Sequence, residues 1–302
     1  MRVPSRPVTW ASLAALILIW GTTWAAIRIS LQGIPPIAGV ALRFAIASAA
    51  LLALVPFFKV RLGATRRERG LWLINALFTF CISYGILYWG EQWVPSGLAA
   101  VLFATFPLFV AVIAHFVLPG ERLTRRSAVG VLVGFAGVAI IFSEDFRALL
   151  GPKVAFAAAV ILICPLSSAI GSVAVKKWGE GIHPLSTAAM PMGLCALILG
   201  PVAWIAEADR GVSFGLAPTL ALFYLALVGS ALPFTLYFWL LKHHAATRLS
   251  LINYAVPVVA VIVGSVFLDE PITVRMILGA ALVIAGVAVA MRTRTAVAEA
   301  AP

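Results

Sequence analysis

The chain has 302 residues, of which 63% are hydrophobic and only 11% charged, with a mean hydropathy of +1.07. A soluble domain of this length carries about a quarter charged residues, so a water-soluble globular fold is excluded. The formal charge of +11 does not argue for nucleic acid, because the cations stand at the ends of apolar runs, where they anchor and orient membrane helices.

Arg2 and Arg6 precede an apolar stretch from Trp10 to Ile27 that has the outline of a signal peptide. Trp20 and Trp24 lie inside it and no A-x-A cleavage pattern follows, so it reads as a retained first span. A hydrocarbon core of about 30 Å needs about 20 helical residues. Ten segments approach that length: 9–28, 36–58, 70–90, 95–118, 126–143, 153–175, 184–206, 216–240, 247–268 and 273–291. Lipid leaves an open sheet edge unsatisfied, so the predicted fold class is all-α, a polytopic membrane protein of ten transmembrane helices.

Polar and aromatic residues inside these spans need a partner or a purpose. Arg43 in the second span either faces a cavity and attracts a carboxylate, pairs with a neighbouring helix, or snorkels to the interface. Tyr84 and Tyr88 in the third span are four apart and share a helix face, followed by Trp89 and then Glu91, a candidate gate or coupling carboxylate. Pro107 in the fourth span and Pro257 in the ninth remove helix hydrogen bonds and are candidate hinges or plain kinks. Ser167, Ser168, Thr235 and Asn253 either bond a substrate or bridge helices. Trp20, Trp24, Tyr84, Tyr237 and Tyr254 offer flat walls with polar tips, suited to substrates that join a ring or alkyl part to a polar head. Trp10, Trp72, Trp93 and Trp178 fit an interfacial belt instead. Glu121 and Glu270 read as first-turn charges favouring the N-terminus of the next helix, with proton coupling as the alternative. Gly130, Gly134 and Gly137, with Gly279 and Gly286, make small-residue faces for an intramolecular or dimer contact. Cys81, Cys164 and Cys195 lie within apolar runs, and neither they nor the four histidines show metal-ligand spacing, so no metal or cofactor is expected.

Shifting the chain by 149 residues aligns Leu87-Tyr88 with Leu236-Tyr237, Glu121 with Glu270, Thr124 with Thr273, Arg126 with Arg275, Gly130 with Gly279 and Gly137 with Gly286. Chance similarity among small apolar residues is the alternative to a true repeat. Two five-span copies, 1–148 and 149–302, must enter the membrane in opposite senses, the geometry that alternating access uses. Sixteen Lys and Arg fall on the side of the N-terminus and five on the other, which places both termini in the cytoplasm.

Trp20-Gly21-Thr22-Thr23-Trp24, then Arg43-Phe44, and in each half a Pro, an apolar helix, a Glu and a Gly-rich helix, together resemble EamA-type members of the drug/metabolite transporter superfamily. Among these the chain is similar to bacterial amino-acid exporters of the YddG kind. The resemblance implies two inverted five-helix repeats in the inner membrane, and export of small metabolites through a central cavity between spans one, three, four, six, eight and nine. The candidate cavity set is then Trp20, Thr23, Trp24, Arg43, Tyr84, Tyr88, Ser167, Ser168, Thr235, Tyr237, Asn253 and Tyr254. One departure is that Cys164-Pro165-Leu166-Ser167-Ser168 stands where a second Trp-Gly pair is expected, so the pathway is expected to be asymmetric. The expected partners are a small-molecule substrate, the lipid bilayer and, as an open question, a coupled ion, in a monomer or weak dimer. Export of amino acids leads; other metabolites or drugs such as nucleosides and cationic compounds are the alternative, with a membrane-embedded enzyme or a channel further behind.

Overall fold

The computed structural model describes residues 4–63, 65–143, 151–259 and 273–291, which form ten helices and no strand. Arg2, Arg147, Glu270, Arg292, Arg294 and the expected end of the ninth span lie outside the described residues. The helices are α1 (Arg6–Ser30), α2 (Pro36–Leu54), α3 (Arg66–Gly90), α4 (Ser96–Phe103 and Phe106–Val117), α5 (Arg125–Ile141), α6 (Pro152–Trp178) and α7 (Pro184–Ala206). They continue as α8 (Leu216–His243), α9 (Ala246–Ser250, resuming over 252–259) and α10 (Val274–Met291). Eight are long and apolar enough to cross a membrane by length and composition. Of the other two, α5 has 17 residues and α9 leaves the described region.

The starts of these helices are written in local chemistry. Proline occupies the first turn of α1, α2, α6 and α7, where its missing N–H belongs to an orphan position anyway. Thr65 and Thr124 cap α3 and α5 by accepting from Glu68 N and Ser127 N, both at 3.1 Å. The outer surface carries large apolar side chains such as Phe116, Leu197, Trp204 and Ile205, a surface that only lipid accommodates.

Packing pairs each half with the other. α2 lies against α7, and α5 against α10. The second contact is as close as backbones allow: a Cβ on Gly130 would sit 2.7 Å from Gly286 O, and one on Gly137 2.6 Å from Gly279 O. The glycine faces therefore serve an intramolecular contact. α1 packs on α8, and α6 on α3 and α4, so these helices and α9 are left around the middle of the bundle.

Two spans change their winding on the way through. α3 is a π-helix over Asn75–Ile82 and α8 over Leu227–Ala231. The 149-residue shift carries Ile82 onto Ala231, so both widened turns end at equivalent positions. Such turns release backbone carbonyls from the regular ladder and recur at functional sites.

Candidate functional site

A cavity open to solvent lies between the two halves, with about 680 Å³ of space free of protein atoms, open solvent included. Its walls come from the six expected helices: Trp20, Thr23, Trp24 and Ile27 of α1; Thr79, Tyr84 and Leu87 of α3; Phe103 and Phe106 of α4; Ser168 and Ser172 of α6; Phe234 and Tyr237 of α8; Asn253 and Val256 of α9. The aromatic rings of the wall make two contact groups, Trp24 with Phe103 and Phe106, and a second around Phe234. Trp20 lies 5.7 Å from Phe234 and 5.6 Å from Tyr237, and Phe234 in turn meets Tyr84 at 6.1 Å and Phe80 at 4.9 Å. Tilted and edge-on pairs of this kind fix one another's orientation.

Seven of the expected residues stand in this wall: Trp20, Thr23, Trp24, Tyr84, Ser168, Tyr237 and Asn253. Five do not. Tyr254 is fully buried between α9 and α5, its ring 2.8 Å from where a Gly134 Cβ would be and its hydroxyl donating to Val131 O at 2.8 Å. It is a packing residue because glycine on α5 opens a slot for it. Ser167 turns aside to donate to Phe78 O (2.6 Å), a carbonyl in the widened turn of α3. Thr235 bonds back to Ala231 O of its own helix at 2.8 Å. Tyr88 and Arg43 stand one layer behind the wall, bonded to each other. The residues missed from sequence are apolar or small hydroxyl side chains (Ile27, Thr79, Leu87, Phe103, Phe106, Ser172, Phe234 and Val256) that resemble ordinary span composition; Phe234, aligned with Gly85, carried no repeat signal.

Arg43 does not snorkel. It is 1% exposed and its guanidinium donates to Ser230 Oγ (2.7 Å), Tyr88 OH (3.1 Å) and Gly229 O (3.2 Å), with the Tyr84 ring 4.9 Å away. The Gly229 carbonyl is available because Pro233, four residues on, has no N–H to give it. Arg43 of the first half thus closes the widened turn of α8 in the second. Tyr84 lines the cavity and has the cation against its ring, so a positive charge stands next to a residue of the wall.

Pro107 follows a break at Ala104–Thr105 and sits in the first turn of the resumed helix; Pro257 follows the break at Leu251. Pro165 likewise follows an interruption at Leu162, and Pro191 and Pro201 lie inside α7. The chain is therefore interrupted at more places than the two expected hinges.

Charged contacts tie the helices at both ends. On the end where the N-terminus begins, the Glu121 carboxylate accepts from Ala246 N and Thr247 N, both at 2.9 Å, and from Thr247 Oγ1 at 3.0 Å. It caps α9, in the other half, and not the next helix, which Thr124 caps. On the same end Lys176 Nζ donates to Leu241 O (2.9 Å) and His244 O (2.8 Å), while Lys242 Nζ donates to Ile182 O. Trp72 is not in an interfacial belt: it is buried and donates to Ser186 Oγ at 2.9 Å. At the opposite end Glu207 accepts from Ile37 N (3.0 Å) and Ala38 N (2.9 Å) at the start of α2. There too, Arg28 Nη1 donates to the carbonyls of Glu91 (3.3 Å) and Val94 (3.5 Å).

Comparison with known proteins matches these features at full length. The sequence profile of the EamA-like transporter family fits the chain twice, over residues 6–143 and 155–292. A Bacillus subtilis (strain 168) protein described as the uncharacterized transporter YoaV is 29% identical over 275 residues, spanning 91% of this chain and 94% of its own. The uncharacterized inner membrane transporter YedA of Escherichia coli (strain K12) is 32% identical over 266 residues, 85% of this chain and 81% of its own. A crystal structure with 22% identity superposes with a TM-score of 0.77 over 93% of this chain and 96% of that one, which establishes the likeness of fold.

Proposed function

The chain belongs to the EamA-like transporter family, and on that premise we propose that it is a secondary exporter of small amphipathic metabolites, with aromatic and hydrophobic amino acids as the leading class. The observation that carries this reading is the composition of the cavity wall. Trp20, Trp24, Tyr84 and Phe234 offer apolar faces, Thr23, Ser168, Ser172 and Asn253 offer hydroxyl and amide groups, and Arg43 stands behind Tyr84. A zwitterion with a ring or branched side chain matches both parts. Among the described lining residues there is no Asp or Glu, and the nearby guanidinium repels a cation, which puts cationic drugs behind amino acids as cargo.

The mechanism we favour is alternating access by two inverted five-helix halves, 1–148 and 149–302, in a monomer or weak dimer. Helix pairs α2/α7 and α5/α10, each with one member per half, act as rigid supports while the cavity helices α1, α3, α4, α6, α8 and α9 rock between them. The cation count supports an orientation with both termini in the cytoplasm of an inner membrane. The chain's own energy source is then the substrate gradient or an ion gradient.

Counterflow in proteoliposomes tests the reading. Vesicles preloaded with unlabelled tryptophan or phenylalanine should take up the radiolabelled amino acid transiently above equilibrium, with saturation. No overshoot for any hydrophobic amino acid, together with overshoot for a nucleoside or a quaternary ammonium compound, would overturn the substrate class and keep the transporter.

A further inference from the structure

Glu91 occupies the turn after α3, at the end of the bundle opposite the start of α1, and is 1% exposed. Neither of its carboxylate oxygens has a hydrogen-bond partner, although the backbone of the same turn is held by Arg28 through Glu91 O and Val94 O. An ionised carboxylate sealed in this way forfeits its hydration with nothing in return. The charged and titratable groups that face it are Arg28 from α1, Arg43 from α2, Tyr88 from α3 and Cys164 from α6. Neither cation donates to the Glu91 carboxylate, and Arg28 is exposed to solvent. Arg43 is committed to Ser230, Tyr88 and Gly229 O, and Arg28 Nη1 to backbone carbonyls. Burial pushes the Glu91 carboxyl up to about 8 from an ordinary 4.5, against the opposing pull of Arg28 and Arg43.

We propose that Glu91 is a proton-binding site whose occupancy is linked to closure of its end of the bundle: the carboxyl holds a proton while the 91–94 turn is seated on α1, and releases it to solvent when that turn lifts off Arg28. The inference deepens the transporter reading and rests on it, since it requires an end that opens. The proton comes from and returns to the same side, so the site gates transport and does not drive it. The sign follows from the two proton affinities. The closed form binds the proton more tightly than the open, hydrated form. Closure is therefore fully supported below pH 4.5 and weakens as pH rises toward 8, by up to about tenfold per pH unit.

Accessibility measures this without knowing the cargo. With Cys81, Cys164 and Cys195 changed to Ala, Leu87→Cys puts one thiol in the cavity wall a turn from Glu91. The full chain in liposomes is treated with a membrane-impermeant maleimide between pH 5 and 9, and each rate is divided by that of free cysteine at the same pH. The normalised rate should rise at least tenfold between pH 6 and pH 8. Glu91→Gln should give a low, flat profile, and Glu91→Asp, which keeps a carboxyl, should retain the rise with a shifted midpoint. A flat profile with Glu91 intact overturns the proposal by itself, whether or not the variants fold. An intact pH profile without amino-acid counterflow removes the proposed cargo and leaves the gate; counterflow with a flat profile does the reverse.

Discussion

Replacing Arg43 with leucine is the sharpest test of how the two halves are held. The guanidinium makes three hydrogen bonds, two of them to the widened turn of α8. Bonds from a charged donor are worth about 1.5–3 kcal/mol each, so their sum is about 5–9 kcal/mol. Against that, leucine removes the cost of a central cation in lipid, about 2.5–3.5 kcal/mol. Ser230 keeps its bond to Leu225 O at 2.8 Å, which softens the loss, whereas Gly229 O is left bare beside Pro233. The balance is a destabilisation of about 3 kcal/mol. At about 2–4 °C per kcal/mol, thermal unfolding of the detergent-solubilised chain, followed by tryptophan fluorescence, should move down by about 6–12 °C. Arg43→Lys keeps the charge without the planar fork and should fall between the two. A double-mutant cycle with Ser230→Ala should show a coupling of about 0.5–3 kcal/mol. Should Arg43→Leu melt at the parent temperature and transport at the parent rate, the guanidinium holds nothing and the assignment of Gly229 O as its acceptor is wrong.

Glu121→Gln keeps the size of the latch on α9 and removes its charge, and should cost about 1 kcal/mol in the same melting assay; no change would mean that the cap is immaterial. Glycine substitutions should rank by what a Cβ meets: Gly286→Ala, against the backbone of Gly134, should destabilise most, Gly134→Ala, against the Tyr254 ring, by about 1–3 kcal/mol, and Gly200→Ala, with open space around it, not at all. Ser168→Trp should fill the cavity and abolish binding of radiolabelled tryptophan in a scintillation proximity assay while the chain stays monodisperse. Full binding by that variant would place the substrate elsewhere.

The spans were legible because lipid imposes a length and a composition that any sequence must display, and the charges between them sit where helices end. The site was legible where a residue is rare in its surroundings: Trp20, Trp24 and Tyr84 stand out in an apolar run and do line the cavity. Tyr254 stands out equally and does not, because its direction depends on a slot at Gly134 that lies 120 residues away in sequence. Arg43 is unusual in its span, yet its partner is hidden, since a carbonyl carries no sequence signal of its own. The signal that does exist is Pro233. A proline in a span frees the carbonyl four residues before it, and Ser230 within the same turn marks a polar place on that face. Glu121 shows the opposite limit: a carboxylate near two helix starts obeys the same electrostatics at either, and only the packing chooses α9.

The π turns explain why a repeat whose later spans share a register still builds an asymmetric pathway. Both end at the same register, Asn75–Ile82 in α3 and Leu227–Ala231 in α8, and each exposes carbonyls that lipid cannot satisfy. Each is answered from the other half. Ser167 on α6 donates to Phe78 O, and Arg43 on α2 donates to Gly229 O. A neutral hydroxyl closes one turn and a cation closes the other, so the two halves bear the same backbone distortion while only one side of the cavity carries a field. An antiparallel rocking motion that exchanged the halves would leave their shapes related and their charges different. The conformations open to either side would then share a cavity outline but bind an anionic group with unequal strength, which gives a carrier of this design an intrinsic preference between loading and release.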